Sequence, residues 1–138
     1  MRNRFVLVAD TSDAFLDTLR EELATTDYAL FHAKDGQEAI DYLELLNAEI
    51  DLVIIALELP VVSGLDVIWR LVEQKHPKHT RIIATSYVEV PRVKQVVKAL
   101  GVDEVVRIPR SAQALRKTVR AVLSARFQSK TSDGVARM

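Results

Sequence analysis

The stretch Asp51-Leu-Val-Ile-Ile-Ala-Leu-Glu-Leu-Pro-Val-Val-Ser-Gly64 decides the fold. Leu52 to Ala56 is an unbroken apolar run rich in β-branched residues and too short for a buried helix. It therefore reads as a strand covered on both faces, as interior strands of parallel sheets are. Pro60 marks a turn, and Ser63 with Asp66 three residues later opens a helix carrying Val67, Ile68, Leu71 and Val72. Strand, loop and helix in that order are half of a βαβ unit. Ala56 ends the strand at the edge where a doubly wound sheet assembles its sites.

The same alternation extends outward in both directions. Arg4 to Ala9, Tyr28 to His32, Arg81 to Thr85 and Glu104 to Arg107 read as further strands, and Tyr28-Ala-Leu-Phe-His has the mixed character of an edge. Between them lie helical patterns with recognisable caps. Phe15, Leu16, Leu19 and Leu23 follow Ser12; Ile40, Leu43 and Leu46 follow Asp35 and Glu38, which resemble a capping box. Pro91 sits in the first turn of a fourth helix, with Val93, Val96, Val97 and Leu100 as its inward stripe and Gly101 as its stop. Ser111 caps a fifth, with Leu115, Val119, Val122 and Leu123 inward. The fold class is thus α/β, a doubly wound parallel sheet. Apolar periodicity stops after Ala125, so residues 1–125 are expected to form one domain and 126–138 a flexible tail or the start of a linker.

Composition fits this reading. A chain of 138 residues holds one α/β core, and its hydrophobic fraction of 49% with 28% charged residues is that of a globular protein. No apolar run approaches the roughly 18 residues of a membrane span. The first residues lack the long apolar segment of a secretory signal, and there is no cysteine; both point to the cytoplasm. Formal net charge is zero but unevenly laid down: residues 1–69 hold 14 acidic and 4 basic residues, and 70–138 hold 5 acidic and 15 basic, or −10 against +10.

Ala56 is followed four residues later by Pro60 and eight later by Gly64. This spacing resembles the phosphoacceptor segment of bacterial response-regulator receiver (CheY-like) domains, in which an aspartate stands where this chain has Ala56. The resemblance covers about residues 4 to 125 and implies a flavodoxin-like sheet of five parallel strands in order 2-1-3-4-5 flanked by five helices. It also implies the roles at the strand ends. Asp10 matches the first acid of a cation-binding pair and Thr11 the second. Ser86 matches the hydroxyl that bonds a phosphoryl oxygen, and Ile108-Pro109 the lysine-proline pair after the fifth strand. Val105 stands in place of the family's aromatic switch residue. One carboxylate remains of the usual three.

Aspartyl phosphorylation needs a carboxylate nucleophile, and a methyl group supplies neither a lone pair nor a metal ligand. The chain therefore reads as a pseudo-receiver, a phosphorylation-independent protein-interaction module of two-component signal transduction. Ile108 is expected to face Ala56 as apolar filling. Two alternatives stand beside this: a conventional phosphoaccepting regulator with an engineered Ala56, which accounts for one of four departures, and a small-molecule-sensing domain using the pocket among Ala56, Ser86 and Ile108. Magnesium is not expected, nor any other cofactor. Asp10 and Glu58 are the two carboxylates on offer, and the simpler arrangement has Asp10 bonding loop groups and Glu58 pointing into solvent. Enzymatic activity is not expected either. Asp10 and Asp13 lack the spacing of a haloacid-dehalogenase pair, no Gly-rich loop is present, and His32, His76 and His79 belong to no catalytic or metal motif.

The basic half supplies a candidate interaction face: Lys94, Lys98, Arg107, Arg110, Arg116, Lys117 and Arg120. In the order 2-1-3-4-5 these are expected on one flank and the acids of the first two helices on the other, with charge reversal at Lys94, Lys98, Arg116 and Arg120 leaving stability unchanged. A protein partner acidic at its contact surface fits such a flank. A homodimer is the open alternative and would need interleaved acids such as Glu89, Asp103 and Glu104. Nucleic acid is disfavoured, because neither a helix-turn-helix nor an aromatic platform accompanies the cations.

Overall fold

The computed structural model describes residues 4–46, 49–74, 80–88, 91–109 and 111–136, leaving aside the side chains of residues 91 and 125–136. The elements are β1 (Arg4–Ala9), α1 (Asp13–Leu23), β2 (Tyr28–Ala33), α2 (Gly36–Leu46), β3 (Ile50–Ala56), α3 (Gly64–Glu73), β4 (Arg81–Ser86), α4 (Pro91–Ala99), β5 (Glu104–Arg107) and α5 (Ala112–Ala136). All pairings are parallel and the order is β2-β1-β3-β4-β5. The apolar run that ends at Ala56 is the central strand, and every residue of β3 is buried.

Alternation along the strands divides the core into two layers. Val6, Val8, Leu52, Ile54 and Ile83 point to one face, where Phe15 and Leu19 of α1 and Leu115, Val119 and Val122 of α5 cover them. Leu7, Ala9, Val53, Ile55, Ile82 and Ala84 point to the other, beneath Ala39 and Ile40 of α2, Val67, Ile68 and Leu71 of α3 and Val97 of α4. Full burial of each large side chain contributes roughly 1.5–3 kcal/mol.

The caps fall where the sequence places them. Ser12 Oγ accepts from Phe15 N–H at 3.2 Å, Asp35 Oδ1 from Glu38 N–H at 2.8 Å, Ser63 Oγ from Asp66 N–H at 3.2 Å and Ser111 Oγ from Ala114 N–H at 3.2 Å. Glu38 reaches back to the Lys34 amide at 3.0 Å, which completes the box one residue earlier than the standard pattern.

Two expectations about helices differ from what is found. Among the described side chains of α4 only Val97 is buried, while Val93 and Val96 are 37% and 56% exposed. Helical spacing placed them on one stripe, but α4 presents only the Val97 edge of that stripe to the sheet. The backbone of α5 also runs on to Ala136, past the end of its apolar stripe. The backbone helix thus continues beyond Leu123, the last apolar position of the stripe.

Charge is distributed differently from the expected two flanks. Because α1 and α5 share one face of the sheet, Arg116 Nη2 meets Glu21 Oε2 at 2.6 Å and Arg120 Nε meets Glu22 Oε1 at 2.8 Å. Acidic α1 and basic α5 neutralise each other within the chain.

Candidate functional site

Three connections converge at the carboxyl ends of β1, β3 and β4. Ala56 is opposite Thr85 in the parallel register and 2% exposed. The backbone leaving Ala56 is held by Leu57 N–H to the Thr85 carbonyl at 2.8 Å and by Gly64 N–H to the Leu57 carbonyl at 3.1 Å. A Cβ on Gly64 would lie 1.9 Å from the Ala56 carbonyl oxygen, so only glycine lets the start of α3 fold back onto the strand end. The same loop is tied to α2 through Gly36 N–H to the Pro60 carbonyl at 3.1 Å. Val61 lies within it at φ 68°, a left-handed conformation costly for a β-branched residue.

Asp10, just beyond β1, is 1% exposed. Its Oδ1 accepts from Ser12 N–H at 2.8 Å, and the Tyr87 hydroxyl lies 3.0 Å from Oδ1 and 3.0 Å from Oδ2. Burial pushes the Asp10 carboxyl above its ordinary range, further raised by the nearby charge of Glu58 and only partly offset by the Ser12 and Tyr87 bonds. The Tyr87 phenol is pushed up to about 12, first by burial and then by the negative charge of Asp10, so it stays a donor through the physiological range.

Glu58 does not point into solvent as expected. Its Oε1 accepts from Tyr87 N–H at 2.7 Å and its Oε2 from the Ser86 hydroxyl at 3.0 Å. That hydroxyl has one proton and an alternative acceptor in the Val88 carbonyl at 2.8 Å, while its oxygen accepts from Val88 N–H at 3.2 Å. Tyr87, which sequence reasoning passed over, is thus bonded to both carboxylates of the pocket. The one available signal was an aromatic residue directly following Ser86 at the end of β4.

Several predicted positions are not brought together. Thr11 is exposed at the lip. Ile108 is 2% exposed but packs in the layer beneath α1 and α5, with Phe15 and Leu115, whereas Ala56 belongs to the opposite layer; the expected facing of Ile108 and Ala56 is not found. The fifth strand passes Ile108 to the α5 side, its amide bonded to the Ser86 carbonyl at 2.8 Å, and Pro109 follows. Of the basic residues, Arg116 and Arg120 pair with α1, and Lys98 lies 3.4 Å from Glu104. Lys94 and Lys117 pair with no acidic side chain among the described residues, and Arg107 borders a cavity of about 450 Å³ between β5 and α5. Arg110, Glu89, His76 and His79 lie outside the described residues.

Among the described residues no group of three or more His, Asp or Glu side chains is gathered as a metal site. Asp10 and Glu58 also hold N–H and O–H donors against their oxygens. A divalent cation entering here would compete with those protons for carboxylate lone pairs.

Residues 6–120 match the response regulator receiver domain. The chain belongs to that family. Among curated relatives of this receiver domain is the alkaline phosphatase synthesis transcriptional regulatory protein PhoP of Bacillus subtilis, 26% identical over 88% of this chain and 49% of that protein. The chain spans about half the length of that relative. The receiver fold is shared with the chemotaxis response regulator CheY4 of Vibrio cholerae, at 26% identity and a TM-score of 0.69 over 88% of this chain and 99% of that one. It is shared also with the phosphorylated cyanobacterial phytochrome response regulator RcpA, at 18% identity and a TM-score of 0.80 over 93% and 96% of the two chains. This is a receiver domain of two-component signalling, and no helix among its described residues is long and apolar enough to cross a membrane.

Proposed function

We propose that this receiver domain works without phosphorylation, as a protein-interaction module with no catalytic activity and no bound cation. The observation that carries the reading is Ala56 at the carboxyl end of β3, the place where the family bears its acceptor. No oxygen there can form an acyl phosphate. The surrounding departures support it: Thr11 in place of an acid, Ile108 turned into the core in place of a cation, and Asp10 and Glu58 engaged by Tyr87 and Ser86. A single replaced acceptor in a working receiver would leave those other positions intact.

Partner recognition falls to surface that internal ion pairs leave open. The exposed valines Val93 and Val96, three apart on α4 with Lys94 between them in sequence, offer an apolar patch beside a cation, suited to a protein surface that is partly acidic. Intact mass after incubation with acetyl phosphate and magnesium tests the central claim. The expected spectrum is unchanged; a stoichiometric, hydroxylamine-labile gain of one phosphoryl group would overturn the reading.

A further inference from the structure

We infer that Glu58 is a built-in anionic ligand for the loop leaving β4, supplying from within the chain what a bound oxyanion would supply from outside. The inference rests on the reading above, that residue 56 carries no phosphoryl group, and concerns the control of that same pocket. Glu58 lies two residues beyond the end of β3, and its carboxylate crosses to a segment 29 residues away in sequence. The Tyr87 amide at 2.7 Å has the short length of a charge-assisted bond and anchors one oxygen. The Ser86 hydroxyl at 3.0 Å can offer its proton to the other oxygen, in alternation with the Val88 carbonyl at 2.8 Å. These are a backbone N–H and a side-chain O–H converging on one negative group, the donor set an anion requires.

The side chain is exposed and belongs to neither core cluster, so its role here is polar rather than packing. Tyr87, held by its amide, is tied also at its other end, where its hydroxyl reaches Asp10. Ser86 to Val88 are thereby held in one pose irrespective of any phosphodonor. Val88, 53% exposed, is bonded through its own amide to the Ser86 hydroxyl, so the pose extends to an exposed apolar side chain.

Amide hydrogen exchange followed by NMR on the full chain, with Glu58→Ala and Glu58→Gln, tests this. In Glu58→Ala the Tyr87 amide should exchange about tenfold or more faster, as loss of a hydrogen bond to a charged group demands, and Val88 should follow. Amides of β1 and α1 should keep their protection, and Glu58→Gln should fall between wild type and Glu58→Ala. Unchanged Tyr87 exchange in Glu58→Ala would overturn the inference. So would a glutamine variant equal to wild type, because charge would then be irrelevant, or acceleration spread evenly over the sheet, because Glu58 would then be a general stabiliser. The acetyl phosphate measurement on the unaltered chain is independent of these outcomes, so either reading can fail alone.

Discussion

The Tyr87 hydroxyl sits 3.0 Å from each carboxylate oxygen of Asp10, closing a contact between residues 77 positions apart. A phenol proton thus stands against a buried carboxylate in the pocket where the family pattern implies a cation. Tyr87→Phe should remove that donor and lower stability by about 1–3 kcal/mol, the usual penalty for an under-bonded buried polar group. Urea unfolding of Tyr87→Phe, Asp10→Asn and the double variant measures the coupling. A coupling near zero would show that the hydroxyl and the carboxylate do not act as a pair.

Asp10 also sets a pH dependence. Its folded-state affinity for protons is raised by burial, so the folded protein prefers the protonated acid more than the unfolded chain does. The contribution of this group to stability is therefore full below the ordinary aspartate range and is lost as pH rises through the elevated folded value. Asp10→Asn, which cannot ionise and still accepts from Ser12 and Tyr87, should melt above wild type at pH 7. The gap should narrow toward pH 4. Melting curves across that interval check it, and a gap that widens on acidification would contradict the assignment.

Ala56→Asp should not restore an efficient phosphoacceptor. The new carboxylate would enter a buried position near Asp10, with Ile108 turned away and no lysine supplied in its place. Like charges in a desolvated pocket should cost on the order of 3 kcal/mol. Thermal unfolding and intact mass after acetyl phosphate read both effects; an equally stable and readily phosphorylated variant would identify Ala56 as a single change in a working receiver.

Reversing Arg116 and Arg120 to glutamate should destabilise the fold rather than leave it unchanged. It opposes like charges across the α1–α5 seam at Glu21 and Glu22. Exposed pairs are individually worth less than about 1 kcal/mol, so the double reversal should cost roughly 1–2 kcal/mol and be largely recovered by Glu21→Arg with Glu22→Arg. Lys94→Glu, on exposed α4, should stay within about 0.5 kcal/mol of wild type. Urea midpoints of the variants decide it.

What could be read in advance was local. Apolar runs such as Leu52 to Ala56 and the caps at Ser12, Asp35, Ser63 and Ser111 declare themselves within a few residues, and the strand order followed from the Pro60 and Gly64 spacing through the resemblance. The seam of Arg116 with Glu21 was hidden because periodicity shows which face of a helix is polar, not which helix lies beside it. The ties from Tyr87 to Asp10 and Glu58 cross long stretches of chain and have no repeating pattern to announce them. Val93 and Val96 misled for the opposite reason: their spacing is that of a core stripe, yet α4 meets the sheet along one edge.

The close approach of Gly64 to the Ala56 carbonyl carries a consequence of another kind. The bend beyond β3 is secured by main-chain atoms and by an absent side chain, none of which involves the group at position 56. Shape and reactivity at this corner are therefore separable. The side chain at position 56 can change without disturbing the bend, and the corner keeps its form whatever its neighbours become.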